Sequence, residues 1–376
     1  MKNFNLLQII PALESGGVEI GTIDLANFLA EKGIGSFVAS KGGMMERYLN
    51  YKKTKHFHLP VHSKNFLKMP FVAKKLNKIV ADYNINIVHV RSRAPAWLLQ
   101  FMLKKNFKSI STFHNVYNSN NYFKKKYNLG LTKVDHIIAI SDYVKFSIIK
   151  RYEIDERKIT VINRGTDTNF LNPELINENE FHNFILKNNI PTDKKIILFP
   201  GRLTSWKGQL DFLKIIESYK DDKMIFYFVG DDKNISYTTK FIKEIKKKNI
   251  DHKCKVLGNL TKENLKMIYQ CADIVISAPL IPEGFGRTIS ESLAMKKIIL
   301  SYNYGGAKNQ LDNLDDIYKV TPNDQQEMKN KIDKVLKLSN EKKVNLGNAS
   351  RQHVIDNFST EKMLNKYLNF YRTIIL

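Results

Sequence analysis

Residues 283–291 read EGFGRTISE, so that two glutamates eight residues apart bracket a run with two glycines. An apolar, strand-like segment at 272–279 precedes this run, and an amphipathic helical pattern follows it as far as Met295. A helix that begins near Gly286 would point its free N–H groups and the positive end of its dipole at an approaching anion. The pattern therefore predicts a strand–loop–helix unit that suits a diphosphate-linked ligand with hydroxyl groups. Taken alone, it also fits a turn whose acidic residues only favour the helix N-terminus.

Two further junctions of the same kind occur along the chain. Residues 199–208 read FPGRLTSWKG, where Arg202 and Lys207 can both reach a phosphate at a helix N-terminus, arginine as a planar fork and lysine as a point charge. Near the start, Ile9-Ile10-Pro11 leads through SGGVE at 15–19 into a helical pattern.

These three strand–glycine–helix junctions, in this order, resemble the retaining glycosyltransferases of family 4, which have the GT-B fold. The resemblance runs nearly from end to end of the chain, and it also includes RGTD at 164–167 and the glycine pair at 305–306. It implies a hexosyltransferase-type enzyme (EC 2.4) that moves a sugar from a UDP- or GDP-linked nucleotide sugar to a glycan or glycolipid. Bacterial enzymes of lipopolysaccharide or surface polysaccharide synthesis are the subset that the chain resembles.

Strand-like and helical patterns alternate in both halves of the chain. In the first half the predicted strands are residues 6–11, 36–40, 87–91, 109–113, 136–141 and 160–163. Unbroken apolar strands between helices indicate parallel sheets that are covered on both faces. We therefore predict an α/β protein of the GT-B class, with two Rossmann-like parallel-sheet domains that face a central cleft.

A polar stretch rich in asparagine and containing two prolines marks the expected domain boundary. We predict an N-terminal acceptor-side domain at 1–168, a linker at 169–192 and a C-terminal nucleotide-sugar-binding domain at 193–358. The helical pattern at 360–376 is expected to pack back on the N-terminal domain, as the resemblance implies.

The resemblance also assigns roles to individual residues. Glu283 is expected to lie beside the transferred sugar and stabilise its positive charge, while Glu291 accepts hydrogen bonds from the ribose hydroxyls. Arg202 and Lys207 are expected to stabilise the departing diphosphate, because preorganised cations do this best. His114 follows an apolar strand, so it should emerge at the strand's carboxyl end, and the resemblance implies that a histidine at this position faces the sugar and acceptor. The predicted catalytic residues are Glu283, His114, Arg202 and Lys207.

The predicted donor site takes in these cations and acids together with several loop glycines. Its members are Gly16, Gly17, Arg202, Lys207, Gly230, Gly258, Asn259, Glu283, Gly284, Phe285, Gly286, Arg287 and Glu291. No spaced Asp-x-Asp pair is evident at a strand end. We therefore expect no metal site and no cofactor, with the nucleotide sugar as co-substrate.

The acceptor side is predicted from loops of the first half. Arg91 and Arg93 close a predicted strand and suit acidic groups on a glycolipid, and Lys64 and Asn65 are assigned to the same side. Arginines bonded to their own loop are the alternative that remains open.

The chain has 376 residues and a formal net charge of +23. Nucleic acid, an anionic membrane and a polyanionic substrate are the partners that this charge suits, and compositional drift is the alternative. Between Lys64 and Val80 lysines stand beside large apolar residues, and Lys124-Lys125-Lys126 sits between Phe123 and Tyr127. Such stretches suit a helix on anionic lipid, and packing of that helix on the sheet explains them equally well. The expected location is cytoplasmic, with peripheral attachment to the inner membrane face as a hypothesis.

Two other functions compete with sugar transfer. A GT-B nucleotide-sugar epimerase would need acids and histidines suited to proton abstraction. A basic nucleic-acid-binding protein would need a basic stripe, a helix-turn-helix or a stacking motif, and the sequence shows none of them. We expect no nucleic acid partner.

Overall fold

The computed structural model describes residues 4–14, 16–102, 106–117 and 121–375. The chain divides into two compact units. The first unit is Met1–Gly165 together with Thr360–Leu376, and the second unit is Thr166–Ser359.

The first unit is built on a parallel sheet of seven strands. In chain order they are β1 (Asn5–Ile9), β2 (Gly35–Ser40), β3 (Thr54–His58), β4 (Ile87–Val90), β5 (Lys108–Phe113), β6 (His136–Ala139) and β7 (Ile159–Val161). Their order across the sheet is β3-β2-β1-β4-β5-β6-β7. Its helices are α1 (Gly17–Glu31), α2 (Met69–Asp82), α3 (Arg93–Leu98), α4 (Tyr122–Asn128), α5 (Asp142–Tyr152) and, from the chain end, α14 (Thr360–Ile375).

The second unit repeats this plan with six parallel strands. They are β8 (Lys195–Pro200), β9 (Met224–Val229), β10 (Cys254–Gly258), β11 (Ile274–Ser277), β12 (Ile298–Tyr302) and β13 (Lys319–Val320), in the order β10-β9-β8-β11-β12-β13. Its helices are α6 (Glu178–Lys187), α7 (Gln209–Ser218), α8 (Ile235–Lys247), α9 (Lys262–Cys271), α10 (Arg287–Ala294), α11 (Gly306–Leu311), α12 (Gln325–Leu336) and α13 (Asn340–Phe358).

The strand order places the functional loops. Central strands such as β9, whose six residues are all buried, are covered by helices on both faces, as expected for parallel sheets. In each sheet the strand order reverses at one point, between β1 and β4 in the first unit and between β8 and β11 in the second. Ligands of open α/β sheets bind outside the carboxyl ends of the strands at such a point.

The last helix, α14, belongs to the first unit. One of its faces is buried in the apolar core that also contains Phe4 and Leu6, and Tyr371 of this face packs edge-on against Phe4. Tyr371 also shares a 2.7 Å hydrogen bond with Nδ1 of the buried His89 in β4. The chain end therefore completes the core of the first unit.

The segment 169–192, predicted as a linker, is instead folded into the second unit. The asparagines that suggested a linker are caps: Asn172 accepts a hydrogen bond from the Glu174 N–H, and Asn177 caps α6. Arg351 donates to the carbonyl oxygen of Leu171 at 2.7 Å. Capping residues and turn residues are the same polar types, so composition alone does not distinguish them.

Among the described residues, no helix is both long and apolar enough to cross a lipid bilayer.

Candidate active site

In the second unit, the loops that follow β8 and β11 carry the predicted cations and acids. The β8 loop needs glycine at its end, because Gly208 has φ +83° and a Cβ there would lie 2.0 Å from the carbonyl oxygen of Ala278. Arg202 in this loop is exposed, and its guanidinium makes no hydrogen bond or ion pair within the described part of the chain. Arg202 is therefore a cation available to a ligand.

Lys207 and Glu283 come together as an ion pair. Lys207 Nζ donates to Glu283 Oε1 at 2.5 Å, and the two side chains are only 12% and 17% exposed. The ammonium group also lies 4.9 Å from the ring centroid of Trp206. The sequence predicted both residues near a ligand but not their mutual contact, which brings the cation assigned to the phosphate next to the acid assigned to the sugar.

Glu291 is held by two neighbours. Arg287, one turn before it on α10, donates to Oε1 at 2.9 Å, and the Tyr269 hydroxyl donates to Oε2 at 3.2 Å. Burial and the negative charge of Glu291 raise the pKa of Tyr269 well above its usual value, so the hydroxyl stays protonated and donates. Sequence reasoning missed Tyr269, which lies on α9 within a pattern that indicates only a packed helix.

The loop before α10 is supported from beneath. Gly286 precedes α10 with φ +87°, and the buried Gln310 donates to the carbonyl oxygen of Phe285. The glycine pair predicted to back the ligand packs on this loop: a Cβ on Gly306 would lie 2.5 Å from the Gly284 carbonyl oxygen. Gln310 Oε1 is buried without a hydrogen-bond partner among the described residues. Gln310 is a second residue that sequence reasoning missed.

The remaining predicted donor residues of this unit lie at the ends of β9 and β10. Gly230 donates its N–H to the Gly258 carbonyl oxygen at 2.8 Å, and a Cβ on Gly230 would lie 2.2 Å from the Gly201 carbonyl oxygen. Both glycines have positive φ, and Asn259 after them is exposed. The close approach of neighbouring strand-end loops therefore accounts for these glycines.

In the first unit, Arg164 contacts both the loop that contains Gly16 and Gly17 and the predicted site residue His114. Its Nη1 donates to the Gly17 carbonyl oxygen at 2.9 Å, and its Nη2 lies 3.1 Å from His114 Nδ1. A Cβ on Gly21 would lie 2.9 Å from Nη1, so glycine there makes room for the guanidinium. Gly16 has φ +136° immediately before α1. The structure thus brings Gly16, Gly17 and His114 together through an arginine that was not assigned a role.

His114 is a neutral side chain, and one of its two ring nitrogens has no hydrogen-bond partner among the described residues. Burial, together with the charges of Arg164 and Arg91, lowers its pKa well below the usual value. Because Nδ1 accepts from Arg164, the proton of the neutral ring is assigned to Nε2. Nε2 is buried without a hydrogen-bond partner in the described ranges. The Nε2–H group is therefore a buried donor that a ligand oxygen can accept from.

The structure corrects the acceptor-side prediction for Arg91, whereas Arg93 is half-buried and its assignment stays a prediction. Arg91 is 1% exposed, with Nε donating to Thr22 at 3.2 Å and its guanidinium 5.5 Å from the Tyr367 ring centroid. Arg93 lies over the rings of Tyr117 and Tyr127 and donates to Asn128 at 3.1 Å. Arg91 therefore stabilises the core and is not accessible to an acceptor at the surface. Its position at the carboxyl end of a strand did not by itself predict this burial.

Lys64 and Asn65 are exposed, as an acceptor contact requires. Asn65 Oδ1 accepts from the Leu67 N–H at 2.9 Å, which shapes the turn before α2. The apolar stripe of α2, including Val72 and Leu76, is buried against its unit, whereas Phe71 is 74% exposed. Most of the stripe therefore reflects packing.

Comparison with known proteins gives two family matches that together span most of the chain. The model described as Glycosyltransferase Family 4 matches residues 15–170, and the model described as Glycosyl transferases group 1 matches residues 180–353. The crystal structure of a glycosyltransferase from Rickettsia africae ESF-5 is 36% identical, with a TM-score of 0.91 over 100% of this chain and 99% of that chain.

More distant relatives agree with these matches. HepE from Anabaena, in a crystal structure with UDP, has a TM-score of 0.83 at 15% identity, covering 98% of this chain and 100% of that chain. Spore coat protein SA of Bacillus subtilis (strain 168) is 24% identical over 300 residues, which is 76% of this chain and 78% of that protein.

Proposed function

The chain belongs to the group 1 and family 4 glycosyltransferases, and from this premise we propose that it is a retaining, metal-independent enzyme that uses a nucleoside diphosphate sugar. The comparisons confirm the predicted GT-B fold and the assignment as a glycosyltransferase. The observation that carries the proposal is the Lys207–Glu283 ion pair at the topological switch point of the second sheet, with the exposed Arg202 in the same loop as Lys207.

The cations of the β8 loop are proposed to stabilise the leaving group. When the bond between the anomeric carbon and the diphosphate oxygen breaks, negative charge grows on the phosphate. Lys207 and Arg202 supply fixed positive charge to that oxygen, as a divalent ion does in other enzymes. Metal independence of the transfer follows from this assignment.

Retention of the anomeric configuration, the outcome typical of the family, is proposed to occur by front-face attack. The other retaining route needs a carboxylate that attacks carbon, whereas Glu283 is held through Oε1 in a 2.5 Å ion pair with Lys207. The charge of Glu283 instead stabilises the cation-like sugar, while the acceptor attacks from the face that the diphosphate leaves and gives its proton to the departing phosphate. The configuration at the anomeric carbon is then retained.

His114 is proposed to donate from Nε2 to a hydroxyl of the transferred sugar or of the acceptor. The neutral ring supports this role, as does the buried Nε2, which has no hydrogen-bond partner among the residues that the structure describes, and Arg164 keeps the ring in the required tautomer. Gly16 and Gly17 are proposed to offer backbone N–H groups to the diphosphate at the start of α1.

Glu291 is proposed to bind the ribose hydroxyls with the lone pairs that Tyr269 and Arg287 leave free. A thermal-shift panel with UDP, GDP, ADP and CMP in the presence of EDTA tests the nucleotide site. A ligand at 100 times its Kd adds about 2.7 kcal/mol of stability. We expect one nucleotide to raise Tm without metal, and Glu291→Ala to reduce that shift at the same ligand concentration.

The control for this panel is Glu244→Ala on α8, which changes the same residue type in the same unit. No nucleotide-dependent shift in folded wild-type protein would reject the donor site, and an undiminished shift in Glu291→Ala would reject the ribose role. UDP is the first nucleotide to try, because HepE has been crystallised with UDP and with UDP-glucose.

The acceptor is proposed to be a glycan or glycolipid of lipopolysaccharide or another surface polysaccharide. WaaG, a glycosyltransferase involved in lipopolysaccharide biosynthesis, has a structure similar to this chain with a TM-score of 0.72 at 12% identity. That likeness supports the shared fold, and the test is transfer to lipid-linked oligosaccharide acceptors.

Peripheral membrane attachment is proposed through the first unit. Two segments expose large apolar side chains next to lysines, one with Phe66, Leu67 and Phe71 and the other with Tyr122 and Phe123. Trp97 connects the segments, because its ring packs against Phe66 at 5.7 Å and its Nε1 donates to the Tyr127 carbonyl oxygen at 2.9 Å. Exposed aromatic and cationic side chains suit an anionic lipid surface.

We expect the triple variant Lys68→Glu, Lys74→Glu and Lys75→Glu to bind phosphatidylserine vesicles at least ~100-fold more weakly, at about 1 kcal/mol per basic residue. Sedimentation with vesicles of phosphatidylserine and phosphatidylcholine measures this change. The matched control reverses Lys243, Lys246 and Lys247 on α8, which are also exposed. Equal losses of vesicle binding in both variants would show that net charge alone causes the effect, and they would reject a specific membrane-binding surface.

A further inference from the structure

Three potential metal ligands meet at the edge of the first sheet. His56 and His58 are two residues apart on the edge strand β3, so their side chains lie on one face of it. Glu46 lies in the short helical turn Met44–Tyr48 that follows β2. One ligand atom from each of these three side chains falls within 4.8 Å of the other two.

Two of the three distances between ligand atoms are close to those of a tetrahedral site. Glu46 Oε2 is 3.6 Å from His56 Nδ1 and 3.3 Å from His58 Nε2. A tetrahedral zinc ion with bonds of about 2.0–2.1 Å sets its ligand atoms roughly 3.3 Å apart. The exposed His58 ring can make the remaining adjustment by side-chain rotation, because 65% of it is exposed.

The ligand atoms are already oriented by neighbouring groups. Glu46 Oε1 accepts from the Gly43 N–H at 2.9 Å, whereas Oε2 faces the histidines and also accepts from the exposed Tyr51 hydroxyl at 3.3 Å. On the far side of its ring, His56 Nε2 lies 2.8 Å from Ser40 Oγ, which also accepts from the Gly42 N–H at 2.9 Å. Metal-binding histidines almost always have such a partner on their second nitrogen.

His56 Nδ1 is a buried nitrogen that faces Glu46 Oε2 across 3.6 Å. The side chain is 1% exposed, and Nδ1 has no hydrogen-bond partner in the described part of the chain. Buried polar atoms nearly always have a partner, so we expect a bound group to pair with His56 Nδ1. A cation bound between His56 and Glu46 would supply it.

The loop between β2 and Glu46 leaves no room for a further side chain. A Cβ on Gly42 would lie 2.4 Å from Glu46 Oε1 and 3.2 Å from the His58 ring, and φ at this residue is +97°. Glycine therefore lets the backbone close over the three ligands.

We propose that Glu46, His56 and His58 bind one divalent transition-metal ion, with Zn²⁺ the best match. Two imidazoles and one carboxylate favour zinc and its neighbours over Mg²⁺ and Ca²⁺, which prefer oxygen ligands. Three protein ligands leave the fourth position to water or to an incoming anionic or hydroxyl group, on the side where His58 is exposed.

The bound ion would restrain the backbone at Leu13, which precedes α1. The Leu13 N–H donates to the Gly42 carbonyl oxygen at 2.9 Å, and the Met45 N–H donates to the Leu13 carbonyl oxygen at 2.7 Å. Leu13 precedes the glycine loop with Gly16 that starts α1. Metal bound to Glu46 therefore anchors this loop, a positioning role separate from the stabilisation of the leaving group by Lys207 and Arg202.

Cobalt(II) is the probe that tests the site, because tetrahedral Co²⁺ absorbs strongly in the visible range. The full chain is freed of metal with EDTA, kept reduced and titrated with Co²⁺ and then with Zn²⁺. We expect a tetrahedral spectrum that saturates at one equivalent, disappears as Zn²⁺ displaces Co²⁺, and accompanies a rise in Tm.

His58→Ala is the main variant, since its exposed side chain can be removed without disturbing the fold. Glu46→Gln keeps an acceptor for the Gly43 N–H while removing the ligand charge. We expect at least ~10-fold weaker Co²⁺ binding in both, and a loss of similar order in Ser40→Ala through His56. The control is His252→Gln, whose imidazole forms a comparable 3.2 Å contact with Asp222.

Unchanged binding in His252→Gln with weakened binding in the ligand variants supports the proposal. A wild-type protein that shows no tetrahedral spectrum would overturn it. So would equal affinity in wild type, His58→Ala and Glu46→Gln, because the ion would then be bound elsewhere. None of these readouts depends on sugar transfer, so they are independent of the proposed function.

Discussion

Replacing Lys207 with alanine is expected to lower kcat/KM for sugar transfer by about 10²–10³-fold, which is the usual cost of removing one preorganised stabiliser of transition-state charge. The Lys207 side chain is only 12% exposed, so an ion from solvent does not fully replace its ammonium group. Binding of the nucleoside diphosphate should weaken as well, because the product carries the same charge. Initial rates and calorimetric titration of the diphosphate measure the two effects.

The matched control for this variant is Lys248→Ala. Lys248 Nζ also forms a 2.5 Å ion pair, with Glu217 Oε2 in the same unit, but on helices outside the strand-end loops. We expect its rate to stay within about twofold of wild type, as for most surface substitutions. Equal losses in the two variants would mean that Lys207 acts on stability, and its assignment to the leaving group would be abandoned.

Glu283→Gln is expected to separate binding from transfer. Glutamine keeps the shape of the side chain but removes the charge that holds Lys207 at 2.5 Å. Lys207 is then free for the phosphate, so the diphosphate should bind as tightly as in wild type or more tightly. The cation-like sugar loses its negative neighbour, and kcat should fall by about 100-fold or more. The same calorimetric titration and rate assay provide both numbers.

Glu217→Gln serves as the control for this second variant, since it neutralises the acid of the Lys248 pair. Weaker diphosphate binding in Glu283→Gln would contradict the assignment and place this acid on the nucleotide. A kcat within a few-fold of wild type would remove it from the stabilisation of the sugar.

Local sequence patterns predicted the parallel sheets and the loops that carry the candidate site. The β8 loop and the loop before α10 each join an unbroken apolar strand to a helix, and they do so with glycines at positive φ, such as Gly208 and Gly286. These signals are local, because strand burial, helix period and backbone freedom depend on neighbouring residues in the chain. The roles of Glu283, Glu291, Arg202 and Lys207 remain predictions, drawn from the same loops.

Local signals were ambiguous where one residue type serves two purposes. Asparagines of the segment 169–192 cap helices and were interpreted as linker residues. β3 was not predicted, because TKHFH at 54–58 has little of the apolar character of a buried strand. An edge strand is covered on fewer sides, so its polar residues are tolerated there. His56 and His58 were overlooked for the same reason.

Sequence patterns alone were enough to predict two sheet-based units, the enzyme family and the loops in which cations and acids occur. Folding was needed to establish the contacts of these residues: that Lys207 pairs with Glu283, that Tyr269 holds Glu291, that Arg91 is buried, and that Glu46 meets His56 and His58. The two kinds of information differ in their range along the chain. Strand, helix and glycine-loop signals act over a few residues, whereas each of these contacts depends on how separate elements of the chain pack together in the folded protein.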